Sequence, residues 1–172
     1  MGQKGWHRRG YVPHFDGHGI TQHVVFRLKD SVPPGERDGD DVLDRGLGSS
    51  LLRRPVCARI VAEALMHGDP DRYELLTWCV MPNHVHALIY TNAEKELGAI
   101  VRLWKSYTAA RINAATGRTG PLWARDYFDR FIRDEKHFES NTRYIEMNPV
   151  SARLCDTPEA WPFGSAGWRG TE

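Results

Sequence analysis

The chain has 172 residues, a formal net charge of +1 and 41% hydrophobic residues, which suits one globular domain with its own core. No run reaches the roughly 18 apolar residues of a membrane span, and the N-terminus lacks the apolar core of a secretory signal. The three scattered cysteines indicate no disulfide framework. These features exclude a membrane partner and predict a cytoplasmic protein.

The first half of the chain predicts a strand, a loop, a helix and a hairpin. Thr21–Leu28 is rich in β-forming residues, and residues 31–50 are rich in Gly, Pro and Asp, so we expect a strand followed by a mobile surface loop. Apolar residues at helical spacing predict a helix over Leu51–His67. Tyr73–Val80 and His84–Tyr90 are predicted strands joined by a turn.

The second half predicts helix, strand and helix: Leu97–Ala115, Tyr127–Ile132, and Asp134 to about Asn148, where Pro149 ends the last helix. The order strand, helix, strand, strand, helix, strand, helix is the split βαββαβ pattern with one extra helix. We therefore predict an α+β, ferredoxin-like fold over residues 1–172. It has a four-stranded antiparallel sheet, helices on one face, a C-terminal helix carrying Tyr144, and a tail from about residue 150.

Charge is unevenly distributed along the chain. The region from Val101 to Arg133 has only Asp126 and Asp129 as acids, whereas acidic residues gather between Glu36 and Asp44. The basic residues of the Val101–Arg133 region are Arg102, Lys105, Arg111, Arg118, Arg125, Arg130 and Arg133. A local basic surface can bind phosphate although the total charge is near zero, but solvated helix charges explain the pattern equally well.

Two spaced pairs of residues suggest a reactive site. His84 and His86 lie two positions apart on a strand, so both imidazoles point to one face and could share a divalent cation. Tyr144 and Asn148 lie one helical turn apart on one face, and an Asn oxygen can complete a metal site. The competing interpretations are two surface histidines, a packed tyrosine and a helix-capping asparagine.

Five blocks of sequence, in order, resemble one family: the REP-associated tyrosine transposases, a branch of the single-tyrosine HUH transposases of insertion sequences. The blocks are Trp78–His86, Trp104–Thr108, Gly120–Trp123, Tyr127–Glu135 and Tyr144–Val150. The chain departs from the family at Ser151–Leu154 and at Trp161–Ser165, where the family often has Lys-Ala-Gly-Leu and Trp-Pro-Trp-Ser-Ser.

The resemblance implies a function and a set of site residues. It implies Mg²⁺ or Mn²⁺ held by His84, His86 and Asn148, with Tyr144 as the nucleophile that cleaves single-stranded DNA near palindromic hairpins through a 5′-phosphotyrosine link. It implies a bacterial, nucleoid-associated protein that is a monomer or a homodimer. The residues that would contact DNA are Arg8, Arg9, Arg102, Lys105, Tyr107, Arg111 and Arg130.

Four alternatives stay open. Tyr107 competes with Tyr144 as nucleophile, but position 111 is Arg rather than Asn or Gln, so Tyr107 is better suited to stack on a base. The chain could instead be a regulator that binds hairpins without cutting, or a replication initiator of the wider HUH group. It could also be a zinc hydrolase that uses the His-x-His pair, although such an enzyme needs further ligands.

Overall fold

The computed structural model describes residues 5–8, 13–16, 19–68, 70–92 and 96–170. Its elements are β1 (Gly5–Arg8), β2 (Pro13–Asp16), β3 (Thr21–Arg27), α1 (Asp40–Asp44), α2 (Pro55–His67), β4 (Tyr73–Val80), β5 (His84–Thr91), α3 (Leu97–Thr116), β6 (Phe128–Phe131) and α4 (Glu135–Ser151). Single 3₁₀ turns occupy Leu51–Arg53 and Pro158–Ala160. None of the helices in these ranges is long and apolar enough to cross a membrane.

The centre of the fold is a four-stranded antiparallel sheet in the order β4-β5-β3-β6. Strands β1 and β2, which were not predicted, form a separate antiparallel pair. The predicted α+β fold with a four-stranded antiparallel sheet is therefore confirmed.

Side-chain alternation gives the sheet two different faces. We call one the core face: it carries Val24, Phe26 and Val85, which pack with α2 and α3 in the main hydrophobic core. The other is the histidine face, where Cys79, Met81 and Leu88 pack against Ile145 of α4. Two helices thus cover one face, and the C-terminal helix covers the other.

The ends of α3 and α4 follow from local chemistry. Helix α3 ends at Gly117, whose φ of 68° is the left-handed conformation that glycine adopts without strain. Asp134 caps α4 by accepting from the His137 N–H at 2.8 Å. The prediction that Pro149 ends α4 is wrong: the helix continues to Ser151 with Pro149 buried inside it. Proline removes one N–H, and the next turn re-forms because Ala152 N–H reaches Asn148 O at 3.0 Å.

Residues 31–50 differ from the predicted surface loop. The segment contains α1, and its Val42 and Leu43 are buried. Asn83 Nδ2 donates to the Leu43 carbonyl at 2.9 Å, and Arg27 forms an ion pair with Asp38. The two apolar residues dock this otherwise acidic segment, which brings its carboxylates to the histidine face.

The tail after α4 packs its aromatic residues Trp161, Phe163 and Trp168 against the body of the protein. Trp161 Nε1 donates to the Val80 carbonyl at 3.1 Å, and Gly164 forms a bridge with Cys79 at the edge of β4. The departures from the family pattern in this region therefore leave the tail attached to the sheet.

Candidate active site

Two adjacent strands place three histidines together on the histidine face. In the antiparallel register of β3 and β5, Val25 lies opposite His86 and His23 lies opposite Leu88. His84 and His86 are fully buried, and His23 is nearly so. The predicted sharing of one face by His84 and His86 is what the structure shows, and their ring centroids lie 4.8 Å apart.

Hydrogen bonds determine which ring nitrogens carry protons. Asn141 Nδ2 donates to the His137 carbonyl at 2.8 Å, so Asn141 Oδ1 is the acceptor for His23 Nδ1 at 3.1 Å. His23 Nε2 can then only accept, and its partner is His86 Nδ1 at 3.0 Å. The proton of the neutral His86 ring therefore lies on Nδ1, and its Nε2 carries a lone pair.

The same reasoning applies to His84. Asn83 Nδ2 donates to the Leu43 carbonyl, which leaves Asn83 Oδ1 to accept from His84 Nδ1 at 2.7 Å. The Nε2 atoms of His84 and His86 thus both present lone pairs, and they lie 3.0 Å apart. Two facing lone pairs repel unless a proton or a cation lies between them, so the network prepares both rings as ligands.

Helix α4 brings Tyr144 to this pair. Its ring centroid lies 5.6 Å from that of His86 and 6.2 Å from that of His23. Asn148, one turn later, is 2% exposed, and its Oδ1 is buried without a hydrogen-bond partner among the described residues. The Asn148 side chain also lies close enough to the Tyr144 hydroxyl to lower the pKa of that phenol.

Helix α1 adds two carboxylates to the site. Asp40 Oδ2 accepts a hydrogen bond from the Tyr144 hydroxyl at 2.9 Å. Asp44 Oδ1 lies 3.7 Å from His84 Nε2 and, within the part of the chain that the structure describes, has no hydrogen-bond partner. The predicted tyrosine, histidines and asparagine are therefore joined by acidic groups that the sequence did not assign to the site.

Burial dominates the ionisation of these groups. It lowers the pKa of His84 to about 3 and of His23 to about 4, and it holds the pKa of His86 well below its usual range. It raises the pKa of Asp44 to about 6, with a further contribution from Asp40 and Asp41. Burial first, and then the Asp40 carboxylate, raise the pKa of Tyr144. The imidazoles are consequently neutral at physiological pH, as metal ligands must be.

The donor set fits a hard divalent cation. Adjacent ligands of an octahedral ion with bonds of about 2.1 Å lie about 3 Å apart, which matches the spacing of the two Nε2 atoms. No three His, Cys, Asp or Glu side chains in the described ranges are already grouped to hold a metal. A third protein ligand must therefore come from an amide oxygen such as Asn148 Oδ1, or from a carboxylate that moves closer.

A cavity of about 600 Å³ opens beside Tyr144. Arg130 lines it together with His23, Asp40 and Asn141. Arg130 lies opposite His23 across β3 and β6 and is close enough to lower the pKa of both His23 and Asp40. Arg130 is thus the predicted DNA-binding residue that the structure brings to the tyrosine.

The structure places four of the other predicted DNA-binding residues away from Tyr144, on α3. Arg8 is in β1, and Arg9 lies outside the described residues. The four candidates on α3 are on the helix that covers the core face: Arg102, Lys105, Tyr107 and Arg111. Lys105 donates to the carbonyls of Ala124, Arg125 and Asp126 at 3.0 to 3.3 Å, so its ammonium is engaged within the protein.

Sequence reasoning missed His23, Asn83 and Asn141, which orient the two central histidines. His23 had a signal, because the strand Thr21–Leu28 was predicted and a buried histidine in a strand needs a partner. Asn141 had one as well: it precedes Asn148 by two helical turns on the same face of α4. The side chains that these residues contact could not be predicted from the sequence, since most of them lie on elements distant along the chain.

Comparisons with known proteins identify the family and the fold. The family described as transposase IS200 like matches residues 56–148, which is more than half of the chain. A Haemophilus influenzae protein designated a predicted REP-associated tyrosine transposase is 25% identical over 103 residues, covering 54% of this chain and 58% of that protein. A solved REP-associated tyrosine transposase bound to a REP hairpin has the same fold, with a TM-score of 0.62 at 21% identity over 96% of this chain and 82% of that one. The chain belongs to the IS200-like transposase family.

Proposed function

We propose that this chain is a metal-dependent transposase that cleaves and rejoins single-stranded DNA beside palindromic hairpins, with Tyr144 as the nucleophile. The observation that carries the proposal is the position of Tyr144, 5.6 Å between ring centroids from His86, whose Nε2 lone pair faces that of His84. The hairpin partner is supported by the relatives, one designated REP-associated and one solved with a REP hairpin.

The proposed reaction is a transesterification. The Tyr144 oxygen attacks phosphorus, the P–O3′ bond breaks, the phenol loses its proton and the leaving 3′ oxygen gains one. The products are a 5′-phosphotyrosine link and a free 3′-OH. Because one phosphodiester replaces another, a 3′-OH can reverse the step and rejoin strands without a nucleotide cofactor.

The chain's own residues supply orientation. On this proposal His84, His86 and Asn148 would hold Mg²⁺ or Mn²⁺, which when bound neutralises charge on the scissile phosphate. His23 and Asn83 keep the two imidazoles in the tautomer that exposes Nε2. Arg130 in the adjacent cavity is positioned to receive the DNA backbone.

The test uses labelled single strands that carry the palindromes flanking the gene. Wild-type protein with Mn²⁺ is expected to form a covalent protein–DNA adduct that survives denaturing electrophoresis. Tyr144→Phe should lose the adduct, because no other group replaces the phenol oxygen. Tyr107→Phe is the matched control, since Tyr107 is 51% exposed on α3, and it should keep the adduct.

Three results would contradict the proposal. Adduct formation by Tyr144→Phe would show that another residue is the nucleophile. Loss of the adduct only in Tyr107→Phe would move the nucleophile to α3. Wild-type protein that binds the hairpin and never forms an adduct with Mg²⁺ or Mn²⁺ would identify the non-cleaving regulator, an outcome compatible with the acidic contact on Tyr144.

A further inference from the structure

Asp44 has no lysine or arginine partner among the residues that the structure describes. It is the last residue of α1, its Oδ1 atom is buried, and the described residues offer that atom no hydrogen-bond donor. The basic side chain next to it, Arg45, pairs with Glu36 instead, at 3.0 Å. The Asp44 side chain as a whole is 30% exposed, but a carboxylate oxygen that is itself buried normally has a cation or a hydrogen-bond donor as partner, because removing it from water is costly.

Asp44 Oδ1 lies 3.7 Å from His84 Nε2. That nitrogen is a lone-pair atom, because the proton of the ring is on Nδ1, where Asn83 accepts it. The contact is therefore between two electron-rich atoms. Such a contact is unfavourable unless a positive charge comes between them.

A second unpartnered atom belongs to the same site. Asn148 is 2% exposed, and its Oδ1 has no hydrogen-bond partner in the described part of the chain. Its side chain and the Asp44 carboxylate both lie close enough to the Tyr144 hydroxyl to shift the pKa of that phenol, Asn148 lowering it and Asp44 raising it. Asp44 thus contacts one histidine of the pair, and both Asp44 and Asn148 lie near the Tyr144 hydroxyl.

We propose that Asp44 is a ligand of the cation that His84, His86 and Asn148 hold, so that helix α1 is part of the metal site. The inference rests on the proposed function, since it assumes that the histidine pair binds a cation. A carboxylate supplies the anionic oxygen that Mg²⁺ and Mn²⁺ favour over nitrogen. Moving Asp44 Oδ1 by less than about 1 Å brings it from 3.7 Å to the spacing of about 3 Å for adjacent octahedral ligands.

The alternative is that Asp44 is only an acidic group near the site. The experiment measures Mn²⁺ affinity of the full chain by titration calorimetry, for wild type, Asp44→Asn and Asp41→Asn. Asp41 is exposed on the same helix, so its variant removes an equal charge from α1 without removing a proposed ligand. Asp44→Asn should weaken Mn²⁺ binding by at least about tenfold, and Asp41→Asn by less than about threefold.

Thermal unfolding gives a second measurement. Without metal, Asp44→Asn should unfold at the wild-type temperature or above it, because it removes a buried uncompensated charge. With saturating Mn²⁺ the wild type should gain more stability than Asp44→Asn, since stabilisation follows binding affinity. A structural role of Asp44 would instead lower the unfolding temperature of the metal-free variant.

A cysteine at this position reports contact directly. Asp44→Cys should bind Cd²⁺ with a thiolate-to-metal charge-transfer absorption that neither wild type nor Asp41→Cys shows, because thiolates favour soft metals. Equal Mn²⁺ affinities of wild type and Asp44→Asn, equal losses in both Asn variants, or no new Cd²⁺ band would each overturn the inference. If wild type itself binds no Mn²⁺, the metal dependence of the proposed function fails as well, which distinguishes the two failures.

Discussion

The hydroxyl of Tyr144 donates a hydrogen bond to Asp40 Oδ2 across 2.9 Å, between residues 104 positions apart in the chain. Burial raises the pKa of Asp40, and the hydrogen bond from Tyr144 and the charge of nearby Arg130 offset part of that rise. The contact places a negative group beside the phenol and favours its protonated form. Helix α1 therefore restrains the proposed nucleophile in the absence of DNA.

Replacing Asp40 with Asn should accelerate adduct formation on hairpin DNA. The variant keeps a hydrogen-bond acceptor for Tyr144 but removes the charge that raises its pKa and repels phosphate. We expect a single-turnover rate roughly threefold to tenfold above wild type, measured by quenched-flow gel assays with Asp41→Asn as control. A fall of the rate to near zero would show instead that Asp40 is required as the acceptor of the phenolic proton.

Replacing His23 should weaken metal binding without removing a ligand. His23 Nε2 accepts from His86 Nδ1 at 3.0 Å and thereby orients the imidazole. His23→Leu leaves the His86 N–H without an acceptor, so Mn²⁺ affinity should fall by about 10-fold to 100-fold. His23→Gln offers an amide oxygen and should recover most of the affinity. Identical affinities for the two variants would refute an orienting role.

Acid should destabilise the metal-free protein in a defined range. Burial lowers the pKa of His23 from 6.5 to about 4 and that of His84 from 6.5 to about 3. Between pH 6.5 and these lowered values, the unfolded chain binds protons that the folded chain does not. The free energy of unfolding must then fall as the pH drops from 6.5 towards 4. The pKa shift of His23 corresponds to a loss of roughly 3 kcal/mol in the free energy of unfolding, at about 1.4 kcal/mol per pKa unit.

Urea unfolding at fixed pH between 4 and 8 measures this dependence. The His23→Gln variant should show a shallower fall, because one titrating histidine is gone. Asp44 acts in the opposite direction around pH 6, since burial raises its pKa and the folded chain binds that proton more readily. A free energy of unfolding that stays constant from pH 6.5 to 4 in wild type would contradict the buried, neutral state of the histidines.

Lys105 should affect stability more than DNA binding. Its ammonium donates to the carbonyls of Ala124, Arg125 and Asp126, and burial lowers its pKa to about 8. Lys105→Met leaves these acceptors without a donor, so we expect a loss of about 2 to 3 kcal/mol in the free energy of unfolding. Exposed Arg102→Met is the control and should change it by less than about 0.5 kcal/mol.

Hairpin binding at several salt concentrations separates the two roles. A residue that contacts phosphate reduces the slope of log affinity against log salt by about one when it is removed. We expect that reduction for Arg130→Met, whose side chain lines the cavity beside Tyr144. If Lys105→Met keeps wild-type stability and its slope of log affinity against log salt is reduced by about one, Lys105 contacts DNA and is not a structural donor.

Local periodicity predicted the parts of the site that lie within one element. Strand alternation was sufficient to place His84 and His86 on one face, and helical spacing was sufficient to place Asn148 beside Tyr144. Element order predicted the sheet, because βαββαβ connections allow few arrangements. The resemblance to a family, carried by five ordered blocks of sequence, added the expectation that the histidine pair and the Tyr144–Asn148 pair lie together. Periodicity within one strand or one helix cannot predict that contact.

Tertiary structure alone decided what surrounds the two pairs. His23 reaches His86 across a ladder between strands 63 residues apart, and Asp40 reaches Tyr144 from a segment whose composition predicted a loop. The composition of that segment predicted a loop because Val42 and Leu43 are its only buried apolar residues, and two residues are too few to give a periodic pattern. The sequence by itself determined which residues could be ligand and nucleophile, since alternation and helical pitch are local properties. The packing of α1 and α4 on the histidine face decided which carboxylates and amides stand beside them, because burial and long-range contacts depend on the whole fold.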